Sequence, residues 1–184
     1  MDTMHATAPQ RGAYDGLYIG LYLSAFFFVM AQSVYTPQAS WLNILSIAIM
    51  LGCPVVTYLL LRRSYRLSGG TLGLGSLWGE GVVAYLLGSM ITVAAGYLYI
   101  RFFNPSFITD LYERAISQWE LMLSIASGAE ADSYRELIGE LKRQLAAGET
   151  PTPLSMLASL AVSSTVIGAV MSLLMGLLAR ARRV

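Results

Sequence analysis

Residues 16–61 read GLYIGLYLSAFFFVMAQSVYTPQASWLNILSIAIMLGCPVVTYLLL, 46 positions without one Asp, Glu, Lys or Arg. An aqueous helix of that length needs a wet face, and nothing in this stretch supplies one. A spanning helix must withhold charge, since a charged side chain at the bilayer centre costs about 2.5 to 3.5 kcal/mol even on translocon-derived scales. The same pattern recurs downstream. Residues 67–100 hold a single charge, Glu80, and residues 150–179 hold none. The composition agrees, with 55% hydrophobic and 12% charged residues and a mean hydropathy of +0.57. The chain reads as an integral membrane protein. Its 184 residues suit one compact membrane domain.

A hydrocarbon core about 30 Å thick needs roughly 20 apolar residues in a helix. Four spans satisfy this, at about 17–34, 41–61, 76–102 and 153–179. Thr36-Pro37-Gln38-Ala39-Ser40 is the polar turn between the first two. Pro54 lies inside the second, where a kink is expected and neighbouring helices can accommodate it. Trp41 and Trp78 fall at span ends, where amphipathic rings prefer to lie. A competing reading takes Arg11, the apolar stretch and Val29-Met30-Ala31 as a leader cut before Gln32. The lone basic residue, offset by Asp15, and the apolar run beyond the cut weigh against it.

Segment 104–152, between the third and fourth spans, is polar but patterned. Asn104-Pro105 suits a helix start. Ile108, Leu111, Tyr112, Ala115, Trp119, Met122, Leu123 and Ala126 then recur at three- and four-residue steps. Ser127-Gly128 ends that helix. A second starts near Asp132, with Tyr134, Leu137, Ile138, Leu141 and Leu145 as its apolar stripe and Gly148 as its stop. The expected architecture is all-α: a four-helix transmembrane bundle with an extracytoplasmic amphipathic hairpin between the third and fourth spans.

The orientation follows from the basic residues. Arg11, Arg62, Arg63, Arg66, Arg180, Arg182 and Arg183 fall on one side of the membrane. The long loop carries Arg114, Arg135, Lys142 and Arg143 against eight acids, which makes it net −4. Both termini are therefore expected to be cytoplasmic and the acidic segment outside.

Glu80 is the one ionisable residue near a span end rather than in an evident loop. Ala84, Gly88, Thr92 and Gly96 follow it at four-residue spacing, a slowly turning stripe of small side chains. Such stripes let membrane helices approach closely. Ser164, Gly168, Ser172 and Gly176 form a matching stripe in the last span, and Gly16, Gly20 and Ser24 repeat the spacing in the first. Glu80 is thus expected to face the bundle or its mouth. It is either a proton- or cation-handling group or a cap on the first turn of its helix, where negative charge suits the dipole. The small stripes read as intramolecular packing, with homodimerisation as the alternative.

Enzymatic chemistry finds no support in the sequence. The glycine-rich run at 69–75 lacks the Lys-Ser/Thr and preceding strand of a phosphate loop and reads as a tight turn. His5 and Cys53 are single and far apart, so neither a metal site nor a Cys-His nucleophile is expected. No cofactor is expected. Net charge +1 gives no attraction to nucleic acid. Arg62-Arg63-Ser64-Tyr65-Arg66 fits anchoring on the positive side, with anionic lipid headgroups as a lesser reading.

The order of parts carries a resemblance. Two spans, a basic turn and a glycine-rich entry lead to the corner Phe102-Phe103-Asn104-Pro105-Ser106-Phe107, followed by an acidic helical segment and a last span ending in basic residues. This resembles a bacterial inner-membrane family catalogued as domain of unknown function 4199, most sharply from Gly73 to about Trp119. The resemblance implies the fold and an inner-membrane location, and brings no catalytic residues. It also points to partnership with membrane-associated glycosyltransferases, near which similar proteins are encoded. The expected role is a non-enzymatic accessory or structural subunit, in contact with lipid and with a protein partner or a second copy. The competing expectation is a small transporter or channel-like protein using Glu80.

Overall fold

The computed structural model describes residues 7–36 and 40–181. Pro37 to Ala39 of the first turn, His5, Arg182 and Arg183 lie outside the described residues. Six α-helices follow one another: α1 (Ala8–Tyr35), α2 (Ser40–Leu67), α3 (Leu74–Leu98), α4 (Phe107–Ile125), α5 (Ala129–Ala147) and α6 (Pro153–Ala181). A π-helical turn, Tyr99–Phe103, extends α3. No strand occurs among the described residues. Four helices are long and apolar enough to cross a membrane: α1, α2, α3 with its π-turn, and α6.

The helices outrun the apolar spans, for local reasons. α1 begins at Ala8, because Thr7 and Gln10 form a capping box and Pro9 sits in the first turn. Arg11 and Asp15 are thereby drawn into the helix. α2 continues through Pro54 and through Arg62, Arg63 and Arg66 to Leu67. Two hydrogen bonds then close it, Gly69 N–H to Arg66 O and Gly70 N–H to Tyr65 O, with both glycines at positive φ. This Schellman turn is the use of the glycine-rich entry. Gly148, at φ 67°, ends α5 in the same way.

α1 and α3 form the most extensive helix contact, and α3 and α6 the next. α3 serves both with two adjacent small-residue rows. Toward α1 it turns Ala84, Gly88 and Thr92: a Cβ on Gly88 would sit 2.7 Å from Ile19 Cγ2, and one on Gly16 would sit 3.0 Å from Leu87 Cβ. Toward α6 it turns Gly81, Tyr85 and Ser89, opposite Ser172, Gly168 and Ser164. Gly96 meets both neighbours, Leu157 of α6 and Phe27 of α1, and Gly176 lies under Leu74 and Leu77. Both stripes are thus filled within one chain. The wide apolar faces of α2 and α6 point outward instead, with Ile44, Met50, Leu51 and Val55 on one and Val162, Val166 and Val170 on the other.

At one end of the bundle lie the start of α1, the α2–α3 turn and the end of α6. At the other, Phe27, Ala31, Ile100, Phe107, Ile108 and Leu157 form a buried cluster that seats the start of α4 on α1 and α3. Arg114 donates to Ser33 O from the same helix. α5 folds back along α4, where Trp119 meets Tyr134 and Lys142 pairs with Glu120 at 2.7 Å. Ile116, Ala131 and Ile138 are the buried residues along this pair. Met122 of α4 and Leu137 of α5, expected on the covered stripes, stay half exposed; α5 packs chiefly on α4.

Candidate functional site

Glu80 stands two turns into α3. Gly73 is the N-cap; Glu80 Oε2 is taken up by Arg11 and Oε1 receives no donor, so the carboxyl does not close the first turn. It faces α1 instead and is fully buried, at 0% exposure. Arg11 of α1 donates through Nε to Glu80 Oε2 at 2.8 Å, and its Nη2 lies 3.5 Å from Ser76 Oγ. Close approach makes the pair possible: Gly12 lies against the Glu80 carbonyl, where a Cβ would come within 2.6 Å of the oxygen.

Asp15 completes the group. It follows Arg11 by four residues, hence on the same face of α1, and is only 8% exposed. Its carboxyl lies within hydrogen-bonding reach of that of Glu80, and the charges of Arg11 and Arg63 act on it as well. With both acids counted as carboxylates, Asp15 Oδ2 and Glu80 Oε1 have no hydrogen-bond partner. One base and two acids are therefore gathered at the α1–α3 seam, near the end that bears the start of α1.

Sequence reasoning placed Glu80 toward the bundle but missed its companions. Arg11 and Asp15 read there as charges preceding the first span. Their partner is 69 residues away, beyond the reach of any local spacing rule. A usable signal existed nonetheless: Arg11 and Asp15 flank Gly12 and Gly16 at the head of the stripe that continues as Gly20 and Ser24.

Deeper in the bundle the polar groups are hydroxyls with local partners. Thr57 donates to Cys53 O at 2.9 Å, so its oxygen accepts from Tyr85 Oη at 2.7 Å. Cys53 Sγ lies 3.1 Å from the same Tyr85 oxygen. Ser89 and Ser164 bond across α3 and α6 at 2.6 Å, and Thr92 donates to Gly88 O at 3.0 Å. Beside them an apolar cleft of about 150 Å³ opens between α1, α3 and α6, lined by Leu23, Phe27, Met30 and Leu157. At the α4 end the Tyr35 hydroxyl is buried beside Asp110 and Asn104 without a bond of ordinary geometry. No group of three or more His, Cys, Asp or Glu side chains able to hold a metal ion occurs among the described residues.

A family model described as "Protein of unknown function (DUF4199)" matches residues 14–181. No curated protein matches the chain, and no solved structure does.

Proposed function

The chain belongs to the DUF4199 family, and from its structure we propose that it is a non-enzymatic accessory subunit of the bacterial inner membrane, holding or organising a protein partner. Both termini and the α2–α3 turn are cytoplasmic in this reading, and α4 and α5 lie outside. One observation carries it: α4 is fastened to the bundle by Phe107 and Ile108, while α5 packs chiefly on α4 and leaves a polar outer face. That face bears Asp132, Glu136 and Glu140, the first paired with Arg135 and the last with Arg143. A folded, acidic pair of helices mounted on a membrane anchor suits docking, whereas an interfacial helix meant for anionic lipid carries a basic face. The family resemblance puts membrane-associated glycosyltransferases among the partners to look for.

The test is affinity purification from native membranes in mild detergent, followed by mass spectrometry, of the wild type and of a variant combining Asp132→Lys with Glu136→Lys. Both side chains are exposed, so the fold should survive. A stoichiometric partner recovered with the wild type and lost with the variant is expected. Wild-type protein that purifies alone, or a partner indifferent to the charge reversal, would sink the docking role.

The transporter reading draws on a different observation, the unpartnered carboxyl oxygens of Asp15 and Glu80. Purified protein in proteoliposomes should give no ion or proton flux above empty vesicles if the accessory reading holds. Flux abolished by Glu80→Gln would replace it.

A further inference from the structure

We propose that Asp15 and Glu80 form a proton-binding site: one proton is held between Asp15 Oδ2 and Glu80 Oε1 where α1 crosses α3. The inference is independent of the accessory role, since it concerns what the buried charge cluster binds and not what the molecule docks.

Geometry makes the argument. Glu80 is wholly buried and Asp15 nearly so. Glu80 Oε2 already accepts from Arg11 Nε. The remaining oxygens, Asp15 Oδ2 and Glu80 Oε1, are buried and receive no donor, although the two carboxyls lie within hydrogen-bonding reach of each other. Two carboxylates in that position confront lone pair with lone pair, and a buried acceptor left without a donor is costly. A single proton removes both penalties, because one carboxyl then donates an O–H to the other, a short and strong kind of bond when its acceptor is ionised.

The charge count leads to the same place. α1 contributes Arg11 and Asp15, and α3 contributes Glu80. From α2, Arg63 acts on Asp15 but is itself exposed, so water screens it. α6 brings Ser172, whose hydroxyl is given to Gly168 O at 2.7 Å. Among the described residues the buried set therefore holds one positive and two negative groups, and one bound proton makes that set neutral. Burying an uncompensated charge is far costlier than burying a neutral hydrogen-bonded cluster. A metal ion is the less suitable occupant, because two carboxylates alone offer it few ligands and Arg11 already neutralises one of them.

The test is isotope-edited infrared spectroscopy on the full chain in lipid nanodiscs, with the carboxyl carbon of Asp labelled in one sample and that of Glu in another. At neutral pH one protonated carboxylic C=O band should appear, shift in heavy water, and move with the Asp label, the Glu label or, for a shared proton, both. It should vanish in Asp15→Asn and in Glu80→Gln and persist in Asp110→Asn. Should either variant fail to fold, the labelled wild type still decides. No carboxylic band at neutral pH would overturn the proposal, as would a band surviving both substitutions. Loss of the band when sodium, potassium or calcium chloride replaces choline chloride would assign the site to a metal cation instead.

Discussion

Among the described residues Arg11 is the only base in the buried cluster at the α1–α3 seam, and this makes the three residues unequal. Removing Glu80 leaves Arg11 with Asp15, and removing Asp15 leaves it with Glu80. Removing Arg11 leaves two buried acids with no buried base among the described residues, only the exposed Arg63 acting on Asp15. Breaking a buried pair by deleting one partner typically costs about 3 to 5 kcal/mol, and that cost should fall on Arg11→Leu, with Glu80→Leu and Asp15→Leu each losing less. Denaturant or steric-trap unfolding in bicelles measures the series. Equal losses for all three would mean that the acids do not substitute for one another. The cluster was only partly legible in the sequence. Glu80 stood out because charge is so rare inside spans. Arg11 and Asp15 did not, because hydropathy marks where apolar residues stop, and both lie just before that point. Pairing across 69 residues belongs to tertiary structure alone.

At the scale of the helices, α3 is a rod with two flattened sides, and each side has its own tolerance for added volume. A Cβ on Gly168 would enter the ring of Tyr85, which is held through its hydroxyl by Thr57 and cannot swing away without losing that bond. A Cβ on Gly88 would press on Ile19 and the backbone of Gly20. Overpacking of this kind costs about 1 to 3 kcal/mol, so Gly168→Val and Gly88→Val should both destabilise the bundle, as read from unfolding in detergent. Gly139 gives the contrast. It lies in the interior of α5 with nothing within 4 Å of its Cβ position. Gly139→Ala should therefore stabilise by about 0.5 to 1 kcal/mol through helix propensity alone. If Gly168→Val proves as harmless as Gly139→Ala, the α3–α6 seam is not packed as described. The four-residue spacing revealed which residues are small, and so that they pack. It did not reveal that Ala84, Gly88 and Thr92 face α1 while α6 meets the neighbouring row led by Gly81 and Tyr85. A large aromatic lying against a glycine leaves no periodic trace.

The molecule as a whole has a basic end and an acidic end that carries α4 and α5, and its orientation in the membrane is a separate, testable matter. Ser64 is buried and would resist a thiol reagent on either side, so Thr71, exposed in the α2–α3 turn, is the better probe. On a Cys53→Ser background in intact spheroplasts, Thr71→Cys should stay unlabelled by a membrane-impermeant maleimide while Ser133→Cys reacts. The reverse pattern would invert the topology. The α4–α5 pair poses the last question, whether it is folded without a partner. Fully burying one large apolar side chain stabilises by roughly 1.5 to 3 kcal/mol, and Phe107, Ile108, Ile116 and Ile138 are buried in the isolated chain. Phe107 and Ile108 bind α4 to the bundle, so its first turns have the firmest support. α5 depends on Ala131, Ile138 and the Trp119–Tyr134 contact at 5.5 Å, while Leu121, Ile125 and Leu137 remain exposed. Protection against hydrogen exchange in the purified protein should accordingly be graded: strongest in the first turns of α4, intermediate along α5, and weakest at Ala126 to Gly128. Adding a docking partner should raise it most in α5. Uniformly fast exchange through residues 107–147 would mean that these helices form only on binding, and the packing described for them would not hold in the free protein.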